Sequence, residues 1–156
     1  MSLGADSADA VVSESASLNV SCRLGQLEDT ERSESRELGL RAIIGQQQAF
    51  VSGTAVDAEA LQRLAERAVE MAKATPADRY CGLAPAERLA SKLPSLDLAD
   101  DHEPSAAELQ TMAQETEDTA RAMAGITNSE GAGAAWGRGT TALVTSHGFA
   151  GSYSST

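Results

Sequence analysis

Few residues of this sequence could do chemistry, and its two histidines are the first to consider. His102 lies in the acidic segment 100–104, and His147 follows Ser146 directly. A zinc peptidase site needs two histidines one helical turn apart, a third ligand and a glutamate that activates water. Neither histidine has a second histidine four positions away. The sequence therefore predicts no catalytic, cofactor-binding or metal-binding residue in this chain.

Each histidine nevertheless has two interpretations. His102 could join a carboxylate-rich metal cluster or lie solvated in a loop, and we favour the loop. Ser146 and His147 could be the nucleophile and base of a hydrolase, in which case the isolated chain would be active and His147→Ala inactive. Neighbours on a strand face opposite sides, so we favour a structural or interface role for His147.

Glycines, the single tryptophan and the cysteines also admit a functional interpretation. The glycines of the segment 131–139 lack the lysine and the strand-loop-helix setting of a phosphate loop. Trp136 could anchor a partner or pack against a sheet. Cys22 falls on an apolar strand face, where a cysteine is usually a small buried hydrophobe. Cys22 and Cys81 form no metal pair and no disulfide framework.

Composition excludes several classes of protein. The chain has 156 residues, with 12 basic and 23 acidic side chains and a net charge of −11. This is the wrong sign for a protein that binds the phosphate backbone, so we expect no direct nucleic-acid binding. No stretch approaches the roughly 20 apolar residues of a membrane helix, and the start lacks the order of a signal peptide. We therefore expect a cytoplasmic protein without a membrane segment.

The segment 18–54 is the part of the chain to which the rest must attach. Its apolar residues alternate, with turns at Gly25-Gln26 and around Gly45, which predicts an antiparallel meander of three strands. A leading strand is expected at 9–16, after a loose tail at 1–8. The charged segment 28–37 is expected to be a solvated strand pair with a charged outer face.

Two helices are predicted after the meander. The first runs from about Asp57, which can cap it, to residue 75 before Pro76. The second opens with a capping box at Ser105 and is expected to stop at Gly125. Their expected buried stripes are Leu61, Leu64, Ala65, Ala68 and Ala72 in the first, and Leu109, Met112, Ala113, Thr116, Ala120, Met123 and Ala124 in the second.

The segments between and after the helices complete the predicted fold. Residues 76–104 are expected to be a long excursion with at most a short helix after Pro85. A hairpin is expected at the end, with strands at 126–136 and 140–153 around Gly137-Arg138-Gly139. Strands and helices in separate blocks favour an α+β fold, an antiparallel sheet packed against two amphipathic helices.

Eight short segments carry a resemblance to a known family: residues 23–28, 38–41, 74–78, 81–84, 96–98, 126–131, 146–149 and 151–156. Together they resemble the TldD/PmbA family, whose older label is modulator of DNA gyrase, and its PmbA (TldE) branch in particular. The resemblance extends over about residues 8–156.

The resemblance implies a cytoplasmic peptidase system. TldD-type subunits of this family carry a zinc-binding HExxxH motif, and PmbA-type subunits pair with them as a heterodimeric metalloprotease. That protease acts on unfolded or small peptides in peptide maturation and degradation. This chain has no HExxxH motif, so zinc is expected in a TldD-type partner and whether the chain is an enzyme stays open.

Residues 9–156 are accordingly expected to be the N-terminal domain of such a subunit, cut short before a second domain. The expected function is that of a non-catalytic subunit that binds a TldD-type chain and peptide, as a dimer. The alternative is a stand-alone interaction module that acts on gyrase or an antitoxin without proteolysis.

Overall fold

The computed structural model describes residues 3–156, which form five strands and two α-helices. In chain order these are β1 (Ser7–Arg23), β2 (Gln26–Ile44), β3 (Gln47–Gly53), α1 (Ala58–Ala74), α2 (Ala106–Arg121), β4 (Ala132–Thr145) and β5 (Ala150–Ser155). A single 3₁₀ turn at Ala86–Arg88 interrupts the long coil between the helices. This coil and its short turn agree with the excursion predicted for residues 76–104.

The strands form one antiparallel sheet in the order β3-β2-β1-β4-β5, so the α+β class is confirmed. β3 pairs only with the last part of β2, in a register that runs from Leu38 opposite Gly53 to Ile44 opposite Gln47. The alternation in this stretch fixes the register, because a shift by one residue would turn Ala42 and Val51 out of the core.

The first two strands are longer than predicted. The expected leading strand and the first strand of the meander are one continuous strand, β1. The expected charged strand pair and the second meander strand are likewise one strand, β2. The only interruption is the two-residue loop Leu24-Gly25. The sequence predicted strands in these polar segments but also breaks within β1 and β2. The continuity of β2 was missed because residues 28–37 are all exposed and have no apolar alternation.

The predicted turn at Gly137-Arg138-Gly139 is wrong. β4 runs through these residues, and the turn lies at residues 146–148. Gly148 has a φ of 88°, whereas Gly137 and Gly139 do not reach positive φ. Glycines inside a strand can mark flat surface or close approach instead of a turn, and that ambiguity caused the error.

One compact unit contains the chain up to Glu14, Arg36–Asp97 and Thr140–Tyr153. Its core is an apolar cluster in which α1 packs against β2 and β3. The buried members are Ala42, Ala49, Val51, Ala68, Val69 and Ala72, with Leu40, Ile44 and Leu64 partly buried beside them.

A second compact unit contains Ser15–Ser35, Leu98–Gly139 and Ser154–Thr156. Its core joins β1 to α2 through Leu18, Val20, Cys22, Leu109 and Ala113, all buried. Ala134 and Trp136 of β4 pack against this cluster. Cys22 is fully buried, as predicted for a small hydrophobe.

The helix starts agree with the sequence signals. Asp57 accepts a hydrogen bond from the Ala60 N–H, and the capping box between Ser105 and Glu108 is complete. Two details of α2 are wrong in the prediction. The helix ends at Arg121 instead of Gly125, and Met112 and Met123 are exposed instead of buried.

The buried face of α2 is narrower than the predicted stripe. Leu109, Ala113 and Glu117 are buried at four-residue spacing, which takes Thr116 and Ala120 out of the core as well. In α1, Ala68 and Ala72 are buried as predicted, Val69 joins them, and Leu61 is exposed.

The predicted tail at residues 1–8 is described only in part, because residues 1 and 2 lie outside the described residues. Leu3 and Ala5 pack against the core of the first unit, and β1 already begins at Ser7. Between residues 3 and 156 no helix combines the length and the apolar character needed to cross a membrane.

Candidate functional site

The two histidines lie in exposed segments. The imidazole Nε2 of His102 is 3.2 Å from Glu108 Oε1, and Asp100 accepts a hydrogen bond from the His102 N–H at 2.9 Å. This is the loop setting that we favoured for His102. Over residues 3–156 no group of three potential His, Cys, Asp or Glu ligands comes together.

Ser146 is engaged by the backbone of β1 and not by His147. Its N–H donates to the Ala8 carbonyl at 2.8 Å, and its Oγ accepts from the Ala8 N–H at 3.0 Å. His147 lies exposed in the turn that follows β4. The geometry thus gives Ser146 a structural role in joining β4 to β1.

The most specialised local geometry lies at the β1–β2 turn. Two residues, Leu24 and Gly25, close the hairpin between Arg23 and Gln26. Their φ angles are 51° and 73°. Two positive φ angles in succession are typical of a type I′ turn, which matches the twist of the flanking strands and favours Asn-Gly or Gly-Gly. Leucine in the first position is strained, because Cβ approaches its own carbonyl group in the left-handed region.

A buried carboxylate from α2 holds this turn. Glu117 is 1% exposed. Its Oε1 accepts from the Leu24 N–H at 2.8 Å, and its Oε2 accepts from the Gly25 N–H at 2.9 Å. Successive backbone N–H groups of this kind form a concave anion site. Here the anion is the protein's own side chain.

The two backbone donors also set the charge state of Glu117. The hydrogen bonds from the Gly25 and Leu24 N–H groups lower the pKa of the Glu117 carboxyl, against the opposing effect of desolvation. Ser129 and Arg121 lower this pKa further. Glu117 is therefore ionised at neutral pH although it is buried, because each of its carboxylate oxygens accepts a backbone N–H.

Two further polar side chains near the turn are also hydrogen-bonded. Gln114 Nε2 lies 3.5 Å from the Gly25 carbonyl, and Arg23 Nε donates to the Ser129 carbonyl at 3.2 Å. A Cβ at Gly131 would lie 2.7 Å from the Cys22 carbonyl, and Gly131 has a φ of 108°. Gly131, which belongs to the segment 126–131 that carries part of the family resemblance, thus allows the backbone to pass close to Cys22.

Sequence reasoning missed the pairing of Glu117 with the turn. A signal was present, because Glu117 continues the four-residue spacing of Leu109 and Ala113. An acidic residue on an apolar stripe is a candidate for a buried hydrogen-bonded group. Its partners could not be read from the sequence, since they are backbone N–H groups more than 90 residues away.

An unpaired strand edge begins directly after the turn. β3 covers only Leu38–Ile44 of β2, so the preceding part of β2 has no neighbouring strand on that side among residues 3–156. Within the second unit this is residues 26–35, which we call the open edge. All ten side chains of the open edge are exposed.

The outer edges of the sheet are partly covered by coil. At β3, Thr75 Oγ1 donates to the Gln48 carbonyl and the Asp78 N–H to the Gln46 carbonyl. At the end of the chain, the Thr156 N–H donates to the Leu98 carbonyl at 2.9 Å. In the described part of the chain, coil reaches the open edge only through the Arg32 side chain, which pairs with Glu103, and no backbone hydrogen bond from coil covers it. The backbone of the open edge is therefore accessible for pairing with another strand.

The open edge is acidic. It contains four carboxylates and one arginine, for a net charge of −3. The arginine, Arg32, already pairs with Glu34 and, at 2.7 Å, with Glu103. Glu28, Asp29 and Glu31 have no ion-pair partner within residues 3–156, so their charge is available to an approaching cation.

Two other features of the second unit, Trp136 and a depression over α2, were considered as binding sites. Trp136 packs against the core, as one of its two interpretations expected, and its Nε1 is buried with no hydrogen-bond acceptor in the described chain. A shallow depression of about 410 Å³ over α2 is lined by Met112, Glu115, Thr116 and Thr119. All four side chains are exposed, so this depression supplies no enclosed binding site.

The sequence is similar to one known domain family and to named proteases. Residues 8–72 match PmbA/TldA metallopeptidase domain 1. The chain is 32% identical over 152 residues to the metalloprotease PmbA of Escherichia coli O157:H7, which is 97% of this chain and 34% of that protein. It is also 32% identical over 150 residues to a metalloprotease PmbA homolog of Haemophilus influenzae, covering 94% and 33%. The chain thus spans about a third of the length of these curated relatives.

Solved structures share the fold at much lower identity. The crystal structure of TldE from Thermococcus kodakarensis superposes with a TM-score of 0.84 over 99% of this chain and 35% of that chain, at 16% identity. A Bacteroides thetaiotaomicron protein named for a proposed modulation of DNA gyrase gives a TM-score of 0.83 over 98% and 35%, also at 16% identity.

Proposed function

The chain belongs to the PmbA/TldD metallopeptidase family, and from this premise we propose that it is domain 1 of a non-catalytic PmbA/TldE-type subunit. In this proposal the subunit works with a TldD-type metalloprotease chain in the maturation and degradation of unfolded or small peptides. Zinc and the water that it activates belong to the TldD-type chain.

The observation that carries the proposal is the match to the metalloprotease PmbA across nearly the whole chain. The model of the family's first domain matches residues 8–72, which include most of β1, all of β2 and β3 and most of α1. The family background therefore supports a role in a protease complex, and the roles of the individual residues must come from the geometry.

The geometry supports an association role through the open edge. An extended polypeptide can add a strand to an unpaired edge, with main-chain hydrogen bonds for affinity and side-chain contacts for specificity. The ten exposed residues of the open edge are longer than the five or six residues of an average strand. We assign peptide binding to residues 30–35 of this edge, a length that an added strand can pair with.

The test uses this chain, a TldD-type chain and a short unstructured peptide. We expect the two chains to elute together in size-exclusion chromatography. We also expect the peptide to be cleaved only by the mixture, with cleavage abolished by a zinc chelator. Peptide cleavage by this chain alone in the presence of chelator would contradict the proposal, and so would separate elution of the two chains.

The alternative is an interaction module that acts on gyrase or an antitoxin without proteolysis. One structural relative carries a name that refers to gyrase, which keeps this alternative specific. Stable capture of gyrase by this chain in the absence of a TldD-type chain would favour it. Catalysis by Ser146 is disfavoured, because both its N–H and its Oγ are bonded to Ala8.

A further inference from the structure

Leu24 is an unusual residue for the position that it occupies. Its φ of 51° lies in the left-handed region, which glycine, asparagine and aspartate adopt more readily. The β2–β3 turn has glycine in the equivalent first loop position, with Gly45 at a φ of 57°. The Leu24 side chain is 48% exposed and is not a member of the core of the second unit. Neither the turn nor the core therefore explains a leucine here.

The surrounding structure fixes Leu24 in this conformation. The buried carboxylate of Glu117 accepts both N–H groups of the turn, and Gln114 approaches the Gly25 carbonyl from the same helix. Strained residues that are held by their surroundings cluster at functional sites. A rigid turn also loses little conformational entropy when its exposed side chains become buried on binding.

The exposed side chains near Leu24 indicate which kind of surface it can bind. Leu27, at the start of β2, is also 48% exposed. Glu28 and Asp29 follow, both exposed and without an ion pair in the described chain. An exposed apolar pair beside unpaired carboxylates has the composition of an interface, with an apolar anchor at the centre and charges at the rim.

We propose that Leu24 and Leu27 form a rigid apolar tip that docks the chain into an apolar pocket with a basic rim on its TldD-type partner. This inference rests on the function proposed above and adds the residues of contact. The carboxylates of Glu28 and Asp29 select a basic rim, because a partner surface of like charge would be repelled. The same acidic charge disfavours docking of a second copy of this chain through its own tip.

The proposal predicts opposite effects of one substitution on stability and on binding. In Leu24→Asn the new residue adopts the left-handed conformation more easily, so we expect the Tm of the isolated chain to rise by about 2–4 °C. The apolar anchor is lost at the same time, so the Kd for the TldD-type chain should increase roughly tenfold or more. A residue retained only for the fold would not show this exchange.

Three control variants separate the anchor from other effects. Leu24→Met keeps an apolar side chain at the strained position and should bind within about threefold of the original chain. Leu27→Asn removes apolar surface without relieving strain, so it should weaken binding and leave the Tm unchanged. Leu96→Asn alters a more exposed leucine, 62% accessible, in the coil of the first unit and should change neither quantity.

The rim is tested by salt and charge. The double variant Glu28→Gln, Asp29→Asn should slow association with the TldD-type chain at low ionic strength and reduce its salt dependence, with a smaller effect on dissociation.

The readout is the Kd and the rate constants from surface plasmon resonance, together with thermal melts of each variant. If the unmodified chain does not bind the TldD-type chain, the proposed function fails and the docking site with it. If the unmodified chain binds and Leu24→Asn binds equally well, the docking site alone is refuted. An unchanged or lower Tm for Leu24→Asn would refute the strain argument.

Discussion

The β1–β2 turn in the second unit and the β2–β3 turn in the first both begin with a residue at positive φ. Leu24 has a φ of 51° and Gly45 a φ of 57°. In each turn a carboxylate accepts a hydrogen bond from the N–H of this first residue. The acceptor is Glu117 for Leu24, at 2.8 Å, and Asp6 for Gly45, at 2.7 Å. Glu117 is buried and accepts a second N–H, whereas Asp6 is exposed.

This difference shows which turn needs support. Glycine adopts the left-handed region without strain, so an exposed aspartate is sufficient at the β2–β3 turn. Leucine does not, so the β1–β2 turn depends on a buried carboxylate that accepts both of its N–H groups. One turn thus serves chain reversal alone, and the other also presents an exposed leucine.

The two helices differ in the same way. The buried face of α1 consists of Ala68, Val69 and Ala72, all apolar. The buried face of α2 consists of Leu109, Ala113 and Glu117, so its final position is given to a charged side chain. The buried face of α1 thus acts through apolar packing, while the buried face of α2 also holds the turn through Glu117.

The largest effect is expected in the core that anchors α2. Leu109 is 2% exposed, so Leu109→Ala should lower the free energy of unfolding by about 2–5 kcal/mol through lost apolar burial and a cavity. Val69→Ala in α1 should cost less, about 1–3 kcal/mol. Urea denaturation measures both. A Leu109→Ala cost below that of Val69→Ala would show that α2 is the less firmly packed helix.

The next effect separates the two turn carboxylates. Glu117→Gln replaces one acceptor oxygen by an N–H₂ group that faces a backbone N–H. It also removes the negative charge to which the N–H groups of Leu24 and Gly25 donate. We expect the Tm to fall by several degrees. Asp6→Asn should change it less, because Asp6 is exposed and water can replace the lost bond. Equal shifts in circular-dichroism melts would contradict the contrast between the turns.

Acid should act on the same carboxylate. The pKa of Glu117 is lowered in the folded chain from its ordinary value of 4.5, so its contribution to stability is present above that value and is lost as pH falls through the folded pKa. The chain should therefore lose more stability between pH 5 and pH 3 than Glu117→Gln does. Glu108, whose pKa Ser105 also lowers, is common to both proteins and cancels in the comparison.

These contrasts also show which parts of the fold can be predicted from the sequence. Period-2 alternation predicted the last part of β1, the last part of β2 and all of β3. The capping residues Asp57 and Ser105 predicted the starts of both helices. The exposed middle of β2 gave no alternation, so its continuity was not predicted. The pair Gly137 and Gly139 led to a predicted turn inside β4, because closely spaced glycines occur both in turns and within strands.

The candidate site was harder to predict than the fold. The sequence showed Leu24 and Gly25 as neighbours and Glu117 on a helix, but nothing linked them. A hydrogen bond from a backbone N–H leaves no residue-type signal in the donor, so tertiary structure alone identifies the pair. The exposure of Met112 and Met123 was missed for two other reasons. Met112 lies outside the narrow buried face of Leu109, Ala113 and Glu117, and Met123 lies beyond the end of α2 at Arg121.

The smallest effect is expected from moving the strain to the other turn. Gly45→Leu introduces a left-handed leucine where a Cβ meets nothing within 4 Å, so only backbone strain changes. It should cost about 1 kcal/mol, since the strain exceeds the entropy that glycine loses on folding. A neutral result in urea denaturation would contradict the cost that we assign to a leucine at positive φ.

Amide hydrogen exchange of the unmodified chain tests the central claim most directly. If a buried carboxylate holds Leu24 in its strained conformation, the amides of Leu24 and Gly25 should exchange more slowly than that of Gly45. They should also lose this protection in Glu117→Gln. Exchange at Leu24 as fast as at Gly45, or protection unchanged in that variant, would contradict the account.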